Sequence, residues 1–133
     1  MESEDFKLPI GKMAIDFDLP GVDGKTYMLR YFLNRDILVV VFTCNHCPYA
    51  QAYENRLIRL AREFLKKAAF IAINSNDAGK YPQDSFENMK IRAREKGFPF
   101  PYLYDETQET ARAYGALVTP HVFVFDRSGK LAY

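Results

Sequence analysis

Two continuous apolar runs and one stripe at helical spacing dominate the hydrophobic pattern of the chain. Residues 37–42 and 69–73 are uninterrupted apolar runs, which is typical of strands buried on both faces. Between the runs, four apolar side chains recur at spacings of four, three and four: Tyr53, Leu57, Leu60 and Phe64. This spacing predicts a helix with an apolar face made of these residues. The order strand, helix, strand predicts a βαβ unit.

Turn residues predict a β-hairpin near each end of the chain. Residues 14–18 and 25–29 flank the turn Gly-Val-Asp-Gly, and residues 122–125 and 130–133 flank the turn Asp-Arg-Ser-Gly. Gly and Asp at these positions favour the tight turns that join antiparallel strands. We therefore expect a hairpin before the βαβ unit and another at the end.

Two further helices are predicted in the second half of the chain. The first is capped by Asp84 or Ser85 and ends at Gly97, because short polar side chains accept the first free N–H groups and Gly ends helices well. The second follows a capping box at residues 105–108 and ends at Gly115.

Composition and charge exclude several classes of protein. The 133 residues suit one domain, at residues 14–133 with a lead-in at 1–13, and the 48% of hydrophobic residues suffice for a core. A net charge of +1 offers no electrostatic case for a nucleic acid or an anionic membrane. The start is acidic and has no apolar segment like that of a secretory signal. No apolar run is long enough to cross a membrane, so we expect a cytoplasmic protein.

The only two cysteines, Cys44 and Cys47, stand where the first apolar run gives way to the helical pattern. A disulfide between them would close almost no loop and would stabilise the fold little, so the pair indicates redox or metal chemistry. With Cys44 at the cap of the helix, free backbone N–H groups would favour its thiolate. Pro48 suits the first turn of that helix.

Asn45 and His46, between the cysteines, are the candidate tuning residues. A protonated or hydrogen-bonding His46 would stabilise the Cys44 thiolate and make the disulfide more oxidising; a solvated loop residue is the alternative. Two other interpretations of the cysteines stay open. One is a zinc site completed by His121 and a carboxylate or water, and the other is a pair of unreactive buried thiols.

Residues 39–48, Val-Val-Val-Phe-Thr-Cys-Asn-His-Cys-Pro, resemble the active-site strand and turn of thioredoxin-like proteins. More narrowly, they resemble the redoxin branch, which groups alkyl hydroperoxide reductase and thiol-specific antioxidant relatives with thiol–disulfide oxidoreductases. Three further segments agree with that branch: residues 14–25, residues 115–126 and residues 129–131. The resemblance therefore runs from residue 14 to the end.

The resemblance implies an α/β, thioredoxin-like three-layer fold: a central mixed β-sheet flanked by helices, with an N-terminal β-hairpin. It implies that the peptide bond before Pro120 is cis and that this loop faces the cysteines. An extended substrate would lie beside Thr119 and Pro120, and Tyr49 would line the same groove or lie in the core. We expect no metal and no dissociable cofactor, because the redox group is the Cys44–Cys47 disulfide itself.

Several positions depart from the family pattern. Thr43 stands where many thioredoxins have Trp, and Leu38 stands where thioredoxin carries a buried Asp. A proton acceptor for Cys47 is therefore unassigned. The proline that precedes the peroxidatic cysteine of peroxiredoxins is absent. Nothing after Tyr133 supplies the last helix of the fold, which predicts a shortened chain or a partner, such as a second copy in a homodimer, over that sheet face.

We predict a thiol–disulfide oxidoreductase in which the Cys44 thiolate attacks the disulfide of a protein or small-thiol substrate. Cys47 then resolves the mixed disulfide, and an upstream reductant such as a thioredoxin or glutathione system restores the dithiol. One alternative is peroxide reduction at Cys44 through a sulfenic acid. The other is a Cu- or Zn-binding module that uses Cys44, Cys47 and His121.

Overall fold

The computed structural model describes residues 7–116 and 118–133. These residues form the strands β1 (Asp18–Pro20), β2 (Thr26–Met28), β3 (Ile37–Thr43), β4 (Ala68–Asn74), β5 (Tyr102–Tyr104) and β6 (His121–Phe125). They also form the helices α1 (Pro48–Glu63), α2 (Phe86–Lys96) and α3 (Glu109–Tyr114). Short 3-10 helices at Leu29–Phe32 and Pro82–Asp84 lie in the connections.

The central sheet is mixed and has the strand order β5-β4-β3-β6. β3, β4 and β5 run parallel to one another, and β6 runs antiparallel to β3. Because α1 connects β3 to β4, the predicted βαβ unit is confirmed. β1 and β2 form a separate antiparallel hairpin, as the N-terminal turn residues predicted. β5 has no sequence signal of its own, because three residues are too few to show a period.

The core lies on both faces of this sheet. On one face, side chains of β3, β4 and β6 pack with the β1 hairpin and with Tyr114 of α3. On the other face, Ala72 and Tyr102 pack against Met89 of α2. The central strands are thus covered on both sides, which explains their uninterrupted apolar runs. Each fully buried Val or Ile contributes roughly 1.5–3 kcal/mol to the free energy of unfolding.

α1 buries a different face from the one that the apolar spacing predicted. Its buried residues are Ala50, Glu54, Ile58 and Ala61. Tyr53, Leu60 and Phe64 are 42% to 46% exposed. Glu54 tolerates burial because Nε of Arg92, on α2, donates to its carboxylate at 2.9 Å. The buried positions 54, 58 and 61 each lie one residue after a predicted one, Leu57 of the predicted stripe is half-buried, and the buried face includes a charge pair with α2.

The helix caps follow the predicted signals only in part. Ser85 caps α2, where its hydroxyl oxygen accepts the backbone N–H of Asn88 at 3.1 Å. At α3, the carboxylate of Asp105 accepts N–H groups of the first turn. The reciprocal half of the predicted capping box is wrong, because the side chain of Gln108 donates to the carbonyl of Ser75 instead.

The described part of the predicted lead-in, residues 7–13, is attached to the domain. Leu8 is buried and its N–H donates to the carbonyl of Tyr114 at 3.1 Å. Residues 7–13 of the lead-in thus contact the domain, and its residues 1–6 lie outside the described ones. The domain boundary at residue 14 stays a prediction.

The predicted C-terminal hairpin forms its turn but only a rudimentary second strand. The N–H of Gly129 donates to the carbonyl of Asp126 at 2.9 Å. Beyond that turn, Leu131 makes an isolated bridge with Phe125, and Lys130 makes one with Met13. Across the described ranges, no helix has both the length and the apolar character needed to cross a membrane.

Candidate active site

The redox loop is the segment Cys44–Cys47, which joins the central strand β3 to α1. β3 ends at Thr43, and α1 begins at Pro48 with Cys47 as its N-cap residue. The prediction that placed Cys44 at the cap is therefore wrong. Cys44 directly follows the buried strand, and Cys47 occupies the N-terminus of the helix, where free N–H groups and the helix dipole favour negative charge.

Both sulfurs contact Thr119, in the loop that precedes β6. The cysteines are free thiols. Sγ of Cys44 lies 3.5 Å from Oγ1 of Thr119, and Sγ of Cys47 donates to the carbonyl oxygen of Thr119 at 3.6 Å. The peptide bond between Thr119 and Pro120 is cis, as the resemblance implied. The loop that we expected to face the cysteines does so.

The two thiols have opposite environments. Cys44 is 1% exposed, whereas Cys47 is partly exposed. Burial raises the pKa of Cys44 to about 11. Burial also acts to raise the pKa of Cys47, but hydrogen bonds from the backbone N–H groups of Ala50 and Tyr49 contribute to a net lowering of that pKa. The structure therefore favours the thiolate at Cys47, whereas the sequence analysis had expected it at Cys44.

A fully buried carboxylate, Asp84, lies behind the redox loop. It accepts four hydrogen bonds, from the backbone N–H of Asn45, Nδ1 of His46, Nδ2 of Asn74 (3.0 Å) and Nδ2 of Asn76 (3.1 Å). Two of these bonds reach each carboxylate oxygen. With two donors at each oxygen, the lone pairs of this carboxylate are all in use.

Asn45 is buried within the same hydrogen-bond network. Its Oδ1 accepts the hydroxyl of Tyr102 at 2.8 Å, and its Nδ2 donates to the carbonyl of Gln83 at 2.8 Å. Its backbone carbonyl accepts Nε2 of Gln51 at 2.7 Å. These bonds hold the redox loop against β5, α1 and the segment before α2. Asn45 thus positions the loop, in addition to any tuning role.

His46 lies on the outer side of the redox loop, with its side chain 28% exposed. Its ring stacks on Tyr81, with the centroids 4.7 Å apart and an interplanar angle of 11°. Since its Nδ1 contacts the Asp84 carboxylate, Nδ1 carries the hydrogen in the neutral ring. The free lone pair is then on Nε2.

The surface beside Cys47 is rich in exposed aromatic side chains. Tyr49 is 75% exposed, which excludes the core position that the sequence analysis allowed. Pro120 lines an open depression of about 460 Å³ together with Tyr53 and Tyr133. Of the predicted substrate residues, Thr119 contacts both sulfurs, and the substrate-binding roles of Thr119, Pro120 and Tyr49 stay predictions.

Asp84 is the site residue that the sequence analysis missed, because we considered it only as a helix cap. Leu38, where thioredoxin has its buried acid, is 2% exposed within the apolar core. One sequence feature indicated that a polar group lies near the redox loop. Asn74 follows the second apolar run and ends β4 beside Thr43, which ends β3, and parallel strands end at a shared edge of the sheet. No sequence signal indicated that Asp84 returns to this edge.

Three potential metal donors, on Cys44, His46 and Asp84, lie within 4.8 Å of one another. Each Asp84 oxygen already accepts two N–H groups, so this carboxylate has no free lone pair for an ion. We therefore assign the cluster to hydrogen bonding. His121, the third ligand of the alternative Cu or Zn site, is outside this cluster, and its ring stacks on Phe123 with centroids 4.4 Å apart.

A dithiol loop between a central parallel strand and a helix, faced by a cis-proline loop, defines a thioredoxin-like protein. The chain belongs to the AhpC/TSA family, which it matches over residues 10–133. An uncharacterized conserved protein from Geobacillus kaustophilus has 49% identity and a TM-score of 0.92, with 95% of this chain and 68% of that chain covered. A hypothetical protein from Sinorhizobium meliloti has 36% identity and a TM-score of 0.93, with 96% and 70% covered. The thiol-disulfide oxidoreductase ResA of Bacillus cereus is 24% identical over 131 residues, 97% of this chain and 70% of ResA.

Proposed function

We propose that this thiol–disulfide oxidoreductase exchanges dithiol for disulfide at Cys44 and Cys47. The observation that carries the proposal is that both free sulfurs contact Thr119, at 3.5 and 3.6 Å, while one of them reaches the surface. A thiolate that attacks and a second thiol that resolves are the two requirements of the exchange. The likeness to ResA supports the same reaction class.

We assign the first attack to Cys47, which reverses the order expected from the sequence. Cys47 is the more exposed thiol and has the lowered pKa, whereas Cys44 is buried and has the raised pKa. The Cys47 thiolate attacks the substrate disulfide, forms a mixed disulfide and expels the first thiol. Cys44 then attacks Sγ of Cys47, and the second thiol leaves. The substrate gains two electrons, and the cysteine pair becomes a disulfide.

The substrate is a disulfide-bearing protein or a small-thiol disulfide that lies on the aromatic surface beside Cys47. Tyr49, which is exposed next to the N-cap, and Pro120, which lines the adjacent depression, support an extended apolar segment there. An upstream dithiol or glutathione system in the cytoplasm returns the pair to the reduced state. The exchange itself needs no dissociable cofactor.

Peroxide reduction at Cys44 is the weaker candidate. A peroxidatic cysteine must present a thiolate to peroxide. Burial raises the pKa of Cys44, and its side chain is 1% exposed. Cys44 therefore neither favours the thiolate nor is accessible to peroxide. Stopped-flow mixing of the reduced protein with hydrogen peroxide should give a rate no faster than that of a free thiolate.

Single-cysteine variants test both the reaction and the order of attack. We expect Cys44→Ser to form a stable mixed disulfide with an aromatic disulfide substrate, because Cys47 attacks and no resolving thiol remains. Cys47→Ser should react slowly, because only the buried thiol remains. Intact-mass measurement counts the adducts. A stable adduct with Cys47→Ser alone would restore Cys44 as the attacking thiol, and a wild-type protein without turnover would contradict the proposed function.

A further inference from the structure

We propose that a polar depression beside the redox loop binds one half of a small-thiol disulfide that carries a carboxylate, and that Arg112 selects this charge. We call the depression the arginine pocket; its lining includes Phe42, Ser75, Asn76, Gln108, Arg112 and Thr119. The inference rests on the proposed function, because it names a substrate class for the same exchange.

The arginine pocket adjoins the two sulfurs because it shares Thr119 with the redox site. Oγ1 of Thr119 lies 3.5 Å from Sγ of Cys44, and the carbonyl oxygen of Thr119 accepts Sγ of Cys47 at 3.6 Å. The next residue, Pro120, lines the aromatic depression instead. Two consecutive residues thus border two different depressions, and a disulfide that lies across them has one depression for each of its halves.

The size and lining of the arginine pocket suit a small organic molecule. Its volume is about 430 Å³, and small-molecule sites measure about 300–1,000 Å³. Phe42, Ala111 and Ala116 supply apolar surface, whereas Asn76 and Gln108 supply side-chain amides. Apolar surface with a few polar groups that fix the orientation of the ligand is the usual composition of such sites.

Arg112 gives the arginine pocket its preference for charge. It is the one charged residue among the described residues of the lining. A terminal nitrogen of its guanidinium donates to the carbonyl of Thr107 at 2.8 Å, which occupies one of five N–H groups. In the part of the chain that the structure describes, no carboxylate forms an ion pair with Arg112. The guanidinium can therefore bind the carboxylate of a ligand.

The aromatic depression on the other side is unsuited to the same group. Its described lining includes Tyr53, His121 and Tyr133 and has no Lys or Arg. A carboxylate placed there would lose water without gaining a cation. The buried Asp84 carboxylate lines neither depression. The charged half of the disulfide is therefore directed to the arginine pocket.

The exchange balances with this orientation. The Cys47 thiolate forms a bond to the substrate sulfur whose carboxylate is held by Arg112, and the disulfide bond of the substrate breaks. The other half leaves as a thiolate. Cys44 then forms a bond to Sγ of Cys47, and the held half leaves as a second thiolate. The substrate gains two electrons and takes up two protons, one from the Cys44 thiol and one from solvent.

Three symmetric disulfides of similar length test the inference in a single turnover of the reduced protein. The disulfides of mercaptopropionate, mercaptoethanol and cysteamine are anionic, neutral and cationic at neutral pH. Alkylation of the remaining thiols at set times, followed by intact-mass measurement, gives the rate of oxidation of the cysteine pair. Because the three disulfides differ in intrinsic reactivity, each rate in a variant is compared with the wild-type rate for the same disulfide.

Arg112→Gln should slow oxidation by the anionic disulfide about threefold to fivefold, as expected for the loss of a partly exposed ion pair. The rate with the neutral disulfide should not change, and the rate with the cationic disulfide should not fall. Arg112→Lys keeps the charge and should keep most of the rate with the anionic disulfide. This second variant also retains a donor for the Thr107 carbonyl, so the test does not depend on the folding of Arg112→Gln.

Arg59→Gln is the matched control, because it removes the same charge from an exposed position. Arg59 lies in the second half of α1, whereas the redox loop adjoins the N-terminus of that helix, and it does not line the arginine pocket. All three rates should match the wild type in this control.

The outcomes separate the inference from the proposed function. An unchanged rate with the anionic disulfide in Arg112→Gln would remove Arg112 from substrate binding. Equal slowing with all three disulfides would mean that Arg112 only supports α3, and equal slowing with the anionic disulfide in Arg59→Gln would mean that long-range attraction is enough. Each of these results overturns the inference and leaves the exchange intact. A wild-type protein that none of the three disulfides oxidises would instead contradict the proposed function.

Discussion

Two buried carboxylates, Asp84 and Asp105, are almost equally hidden from solvent, at 0% and 1% exposure, yet they connect very different parts of the chain. Asp105 accepts hydrogen bonds from the backbone N–H groups of Thr110 and Ala111 and from the Ser75 hydroxyl. Most of its donors follow within six residues, so it acts as a local helix cap. Asp84 accepts donors from the redox loop, from the end of β4 and from the segment beyond it.

The difference shows how one chemical group serves structure in one place and the site in another. A carboxylate satisfied by nearby N–H groups stabilises one helix end, and its loss is felt there. A carboxylate satisfied by distant donors joins segments that would otherwise separate. At Asp84, one of those segments carries Cys44 and Cys47. The stability of the fold and the geometry of the thiols therefore depend on the same side chain.

The largest effect is expected when each carboxylate is removed in turn. Asp84→Ala leaves four donors without an acceptor, two of them in fully buried hydrogen bonds, and should lower the free energy of unfolding by about 3–5 kcal/mol. Asp105→Ala should cost about 1–2 kcal/mol, because it mainly uncaps α3. Urea unfolding of the reduced proteins measures both. Equal losses of stability would show that it makes no energetic difference whether the donors of a buried carboxylate are near or distant along the chain.

A smaller difference between the Asp84 and Asp105 variants is expected in how the free energy of unfolding changes at alkaline pH. The pKa of Cys44 is raised from 9.0 to about 11, so the folded state binds more protons than the unfolded state in this window. Stability is therefore fully present below the lower value and falls as pH rises through the window, by roughly 1–2 kcal/mol. Burial is the main cause of this raised pKa, and the charge of Asp84 adds a smaller contribution. Asp84→Asn should accordingly reduce the fall, whereas Asp105→Asn should preserve it.

Urea unfolding at several pH values checks this dependence, with Cys44→Ala as the control that retains Cys47. Cys47, whose pKa is lowered, has the opposite sign: its contribution to stability is present above its unfolded value and is lost as pH falls. A fall of wild-type size in Cys44→Ala would assign the alkaline effect to other groups.

The smallest effect is expected from two hydroxyls, one on each side of the comparison. Tyr102 donates to Asn45 and accepts from Asn74 at 3.2 Å, while the Ser75 hydroxyl donates to Asp105 at 2.7 Å. Tyr102→Phe and Ser75→Ala should each cost about 1 kcal/mol. Only Tyr102→Phe should change the alkylation rate of the thiols, because only Tyr102 bonds the redox loop. Matching thiol reactivity in both variants would show that the loop does not need this hydroxyl.

Much of the fold was predictable because its signals are local. The apolar runs of β3 and β4 and the Gly turn between β1 and β2 each report on a few neighbouring residues. Prediction failed where a distant partner decides the outcome. Glu54 is buried on α1 because Arg92 of α2 pairs with it, and no spacing rule within α1 contains that information.

For the site, the sequence by itself determined the chemistry: two thiols three residues apart, after a buried strand and before a helix, with a Thr-Pro loop later in the chain. Tertiary structure alone decided their surroundings. Cys44 is buried at the end of the central strand, and Cys47 lies at the N-terminus of α1, and their pKa values shift in opposite directions. Asp84 joins them because the segment before α2 folds back over the edge of the sheet. Burial and long-range hydrogen bonds depend on how separate segments pack, which a local pattern does not encode.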